Sequence, residues 1–191
     1  MINIEEFEKQ LTDFEKQLQN YHMPRYRELP DIELYMDQVI VYVNKYLNIF
    51  SKKEENIITP SMINNYVKHG ILPPPVGKKY GRTHLAYICA VFFLKQVLKM
   101  DEIKAIIQNQ IEKSNEFKAY TYFCMALEQA FKNCCLLNKK EAVSHESPLD
   151  KENYALKSST IAIANLIYAQ KVIELQTPPP PPKEKKESKK D

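Results

Sequence analysis

Glycine constrains this chain more than any other residue type. Its 191 positions hold three, Gly70, Gly77 and Gly81, all inside "NNYVKHGILPPPVGKKYGRTHL" (Asn64–Leu85). Sheet-rich folds use glycine in their tight turns, and nucleotide-binding α/β folds use it in their phosphate loops. A chain this poor in glycine, and rich in Leu, Ile, Lys, Glu and Gln, is expected to be mainly α. Apolar residues make up 44% of it, enough for a packed core.

The same region is unusual in charge. Residues 57–100 hold six Lys/Arg and no acid, whereas residues 1–56 are net −4 and residues 101–191 net +1. A stretch without acids either meets something negative or is buried. Both readings apply. From Asn64 to Arg82 the bases sit among polar residues. From Leu85 to Leu94 the run "LAYICAVFFL" is apolar nearly all round, as a central core helix would be.

Periodicity and punctuation place the other elements. Ile4, Phe7, Leu11, Phe14, Leu18 and Tyr21 recur at three- and four-residue spacing, so residues 3–22 read as an amphipathic helix. It is expected to pack on its own domain, a dimer contact being the sharper alternative. Pro30 and Asp31 suit the start of a buried helix carrying Leu34, Val39, Ile40, Val43 and Leu47, followed by a charged turn at Ser51–Asn56. In "TPSMINNYVKHG", Thr59 can cap a helix, Pro60 fits its first position, and Gly70 can take the left-handed conformation just past its end. Gly77 and Gly81 bracket a basic loop and are expected at positive φ. Thr83 is expected to cap a helix reaching about Lys99. Asp101 and Glu102 favour the positive end of the next helix. A further helix covers "NEFKAYTYFCMALEQAFKNCCLLNK", and residues 141–150 read as a loop. Tyr154–Leu175 reads as the last helix, with Ile161, Ala164, Ile167, Tyr168 and Val172 as core positions. "TPPPPPKEKKESKKD" reads as a stiff spacer and a disordered Lys-rich end.

Turning Pro60–His69 through about 100° per residue sorts it into two faces. Met62, Ile63, Tyr66 and Val67 form the docking side, while Ser61, Asn64, Asn65 and Lys68 form the other. Asn can bond an adenine edge in two places, Lys meets guanine or phosphate, and Ser meets phosphate. The basic loop beside this helix, with Lys78, Lys79, Tyr80 and Arg82, would reach the flanking backbone in a winged-helix arrangement. Tyr80 could equally pack beneath the loop.

These residues resemble the DNA-binding region of the MerR family of transcriptional regulators. Tyr66 and "GIL" (Gly70–Leu72), followed by Pro73, match the exit from that family's recognition helix. "KKYGR" (Lys78–Arg82) is similar to its wing with Gly and Tyr exchanged, and "THLAYI" and "LKMDEIKAII" match its two following helices. Asn64 stands where the family has Arg, and Lys99 and Met100 replace a usual Gly. The wider pattern looks most like an uncharacterised family of Gram-positive bacteria with a MerR-like helix-turn-helix. The resemblance implies that Asn64, Asn65 and Lys68 face the groove and that Lys78, Lys79, Tyr80 and Arg82 hold phosphates. Ile63, Tyr66, Ile71 and Leu72 would be core. The implied organisation is an N-terminal amphipathic helix (1–28), a MerR-like winged helix-turn-helix domain (29–113), a helical dimerisation or effector region (114–175) and a Pro/Lys-rich tail (176–191).

No enzyme signature stands out. The histidines are scattered, glycine is too sparse for a phosphate-cradling loop, and no Ser sits in a nucleophile elbow. No catalytic, cofactor or metal residues are therefore expected. Cys89, Cys124, Cys134 and Cys135 lack metal or redox spacing and read as buried thiols. With no signal peptide and no run long enough to span a bilayer, the expected location is cytoplasmic. The expected partner is double-stranded DNA, with a homodimer and a small-molecule effector left open; Phe117, Tyr120, Tyr122, Phe123 and Phe131 read first as helix–helix core, a ligand pocket being the alternative. The alternative is a helical protein-interaction module that keeps the fold without DNA binding.

Overall fold

The computed structural model describes residues 3–47, 57–138 and 153–177. The expected turn at Ser51–Asn56, the loop at 141–150 and the tail beyond Thr177 lie outside them. Seven helices occur among the described residues: α1 (Ile4–Gln19), α2 (Met36–Leu47), α3 (Pro60–Lys68), α4 (Arg82–Leu94), α5 (Met100–Lys113), α6 (Glu116–Asn138) and α7 (Tyr154–Gln176). Two short strands, β1 (Leu34–Tyr35) and β2 (Lys79–Tyr80), pair antiparallel with Leu34 opposite Tyr80 and Tyr35 opposite Lys79. The protein is mainly α, as the glycine count requires.

The amphipathic stripe of α1 turns inward only over its second half. Phe14 and Leu18 are buried, while Ile4 is 70% exposed. α1 and the segment after it run opposite to α6, which their contacts show in order. The Cys135 thiol reaches the Glu15 carbonyl, Tyr21 meets Phe131 edge-on, and Met23 N–H donates to Glu128. Tyr26 then meets Phe117. α7 runs alongside α6 in the same direction, because Leu156 lies near Ala119 and Cys134 lies near Ala164 and Asn165. α4 threads the middle with Leu85, Ala86 and every residue from Ile88 to Leu94 buried. One contiguous core joins Phe14 of α1 to Ile167 of α7 through α4.

Several expectations are corrected. Residues 30–35 do not start a helix; Leu34 is buried in β1, and α2 begins at Met36. The pairing with β2, more than 40 residues along the chain, decides this against local preference. α4 starts at Arg82, capped by Gly81 rather than Thr83. The Gly81 N–H donates to Nδ1 of His84 at 3.1 Å, and Thr83 spends its hydroxyl on Tyr26 at 2.6 Å. α4 also ends at Leu94, short of Lys99. On α7, Ile161 is 44% exposed and so is not core, whereas Ala164 and Ile167 are buried.

Candidate nucleic-acid interface

The short helix α3 is fixed at both ends by its own sequence. The Thr59 hydroxyl accepts from Met62 N–H at 3.4 Å, and Pro60 occupies the first turn. At the other end Gly70, at φ +63°, closes a Schellman motif. Gly70 N–H donates to the Val67 carbonyl at 2.9 Å, and Ile71 N–H to the Tyr66 carbonyl at 3.1 Å. Upstream, the Asn44 side chain of α2 accepts from Ile57 N–H and Ile58 N–H, pinning the approach to α3. These constraints fix which way the helix faces. Ile63 and Tyr66 are buried and Met62 and Val67 half-buried; Ser61, Asn64, Asn65 and Lys68 are exposed. Ile71 and Leu72 also enter the core, as expected.

The basic loop is a two-residue hairpin. Val76 bridges Lys79, whose N–H donates to the Val76 carbonyl at 3.0 Å. The two tip residues, Gly77 and Lys78, have φ of +57° and +64°, the sign pattern of a type I′ turn. The positive φ expected of Gly81 falls on Lys78 instead, and Gly81 sits at −88°.

The four basic-loop side chains meet different fates. Lys78 is exposed at the tip. Lys79 is half-buried, its ammonium 5.5 Å from the Tyr35 ring centre. Tyr80 is 3% exposed and meets His84 edge-on, and its burial pushes the hydroxyl pKa up. It therefore packs beneath the hairpin, the alternative the sequence left open. Arg82 is committed within the chain. Its Nε donates to the Leu29 carbonyl at 3.1 Å, its Nη2 lies 2.9 Å from the Asp31 carboxylate, and its guanidinium covers the Tyr26 ring. Sequence reasoning missed Asp31 and Tyr26 as its partners, since both come from a loop 50 or more residues upstream.

All four cysteines are buried thiols. Burial pushes the thiols of Cys89 and Cys124 up to about 12 and that of Cys134 to about 11. Such thiols are poor nucleophiles and poor metal ligands. Among the described residues no group of three or more His, Cys, Asp or Glu is placed to hold a metal ion. None of the helices among them is long and apolar enough to cross a membrane.

The molecule is thus a mainly helical protein that presents a capped polar helix and a short basic hairpin. It belongs to the family described as a domain of unknown function (DUF1836), which residues 24–134 match. That span begins after α1 and ends within α6. No curated protein and no solved structure matches the chain.

Proposed function

We propose that this chain is a DNA-binding transcriptional regulator of MerR-like, winged helix-turn-helix design. The observation that carries the proposal is α3: one side anchored in the core by Ile63 and Tyr66, the other presenting Ser61, Asn64, Asn65 and Lys68 to solvent. A helix held this rigidly can enter a major groove without losing side-chain anchorage. The succession from capped helix to hairpin, core helix and α5 follows the order of the family that the sequence resembles, which supports the reading. In it the unit spans 29–113, α3 reads bases, and Lys78 and Lys79 meet phosphates. Tyr80 and Arg82 support the hairpin from within. A two-fold dimer would read paired half-sites.

The test is binding to fragments of the source genome across a range of salt. Lys78→Ala and Lys79→Ala should each flatten the log–log salt slope by about 0.9. Arg82→Ala should lower stability and leave the slope nearly unchanged. Slopes untouched by the lysine changes would remove the phosphate-binding assignment.

A second reading, a protein-interaction module, draws support from Arg82. Its charge is spent on Asp31 and the Leu29 carbonyl, so the hairpin offers a polyanion only two lysines. A stable protein partner together with no DNA binding at low salt would favour it.

A further inference from the structure

Two hollows adjoin behind α3. The inner one, about 50 Å³, lies where α4, α5, α6 and the start of α7 meet, with Ala86, Ala90 and Ala119 making room for it. Its walls are apolar apart from Thr83, Gln110, Glu116 and the hydroxyls of Tyr87 and the buried Tyr120. The Tyr120 hydroxyl finds no oxygen or nitrogen partner, and burial among the Cys89 and Cys124 thiols pushes its pKa well up. Apolar hollows of this kind stay dry and accept apolar guests. The outer hollow, about 460 Å³, is an open groove between α5 and the segment Gly70–Pro74. Both share one wall: Tyr87, Ile107 and Ile111 line each of them.

Charge grades the outer groove. α5 presents Lys104, Gln108 and Glu112 to it on successive turns, roughly 6 Å apart. The Lys104 ammonium lies against Gly70, 3.3 Å from where a Cβ would stand, at the carbonyl end of α3. Among the described residues Lys104 makes no ion pair. Glu112 sits two turns away on the same groove. A cation at one end and an apolar chamber reached past Tyr87 describe a guest with one anionic head and an apolar body. The distance from Lys104 to Ile111 along α5 is about 10 Å, the reach of a medium-chain carboxylate.

We propose that the two hollows form one binding site for a small amphipathic carboxylate. Its head pairs with Lys104, and its apolar body lies along Ile107 and Ile111. The end of the body passes Tyr87 into the chamber beside Ala90. The site stands apart from the DNA reading, since its occupancy is read on the protein alone. Its outer wall is nevertheless the cap of α3, so a bound guest touches the segment that orients that helix.

Sodium octanoate is the probe, titrated into the full chain by calorimetry and thermal melting, with acetate and octylamine as controls. Saturable binding of octanoate at one per chain, with a raised Tm and no response to acetate, is the expected result. Lys104→Glu should weaken octanoate at least about tenfold and make octylamine the better ligand. Ala90→Phe should remove octanoate binding by filling the chamber. Because that variant can fail to fold, Tyr87→Trp supplies a second readout in a chain that has no tryptophan. Its emission should shift to the blue as octanoate fills the site. Absence of saturable binding, binding unaffected by Lys104→Glu, or equal binding of octylamine by the unaltered chain would each overturn the proposal.

Discussion

At the scale of single residues, backbone conformation separates glycines that look alike in the sequence. Gly70 sits at φ +63°, with Lys104 Nζ 3.3 Å from any added Cβ. Gly81 has an ordinary φ and open space around it. Gly70→Ala should lose about 1–2 kcal/mol in a urea titration, while Gly81→Ala should stay within about 0.5 kcal/mol of the parent. Lys78 makes a sharper case. A lysine at φ +64° is held in a conformation that costs about 1 kcal/mol, and a type I′ turn prefers Asn or Gly there. Lys78→Asn is expected to raise Tm. Under the DNA reading it also weakens DNA binding, so melting and binding curves on the one variant move in opposite directions. A residue that makes its own turn less stable is a reasonable mark of selection for something other than folding.

At the scale of elements, α3 shows what a chain can say about itself locally. Tyr66 is 2% exposed, its hydroxyl has no partner, and burial pushes its pKa up to about 12. Removing an unsatisfied buried hydroxyl is neutral or favourable, so Tyr66→Phe should leave stability unchanged or raise it by up to about 1 kcal/mol. Equilibrium denaturation checks this, and a loss of more than about 1 kcal/mol would mean a hidden partner. The cap, first proline, terminal glycine and two faces of α3 were all legible in the sequence because each depends on neighbours within a turn or two. The acidic first turn of α5 was legible too; Glu102 accepts from Lys99 N–H at 2.7 Å. β1 was illegible. Two residues carry no periodicity, and their partners Lys79 and Tyr80 arrive from across a helix pair. The cap of α4 was misread for a similar reason: the Thr83 hydroxyl is taken by Tyr26, 57 residues upstream, and the helix starts at Arg82 with Gly81 as its cap. In the candidate site, the α3 face came from local pattern. The burial of Tyr80 and the pairing of Arg82 came from tertiary contacts that no spacing announces.

At the scale of the whole molecule, the segment that follows α1 is fastened to α6 by a small ionic joint. Arg25 holds Glu128 through both carboxylate oxygens, at 2.8 and 2.6 Å, and Met23 N–H donates to the same carboxylate at 2.9 Å. The Glu128 side chain is 13% exposed and that of Arg25 29%. Glu128→Gln removes the charge and turns one of the two acceptor oxygens into an amide donor facing the guanidinium, so it should lose about 2 kcal/mol in denaturant titration. The N-terminal segment should become the first part cleaved by limited proteolysis. That joint also orders events in time. Residues 25 and 128 lie 103 positions apart, and at about 5–20 residues per second a ribosome delivers the second some 5–20 s after the first. Through that interval α1 has no α6 to lie on, and its apolar stripe is open to whatever meets a nascent chain. α1 is made well before the helix that settles it.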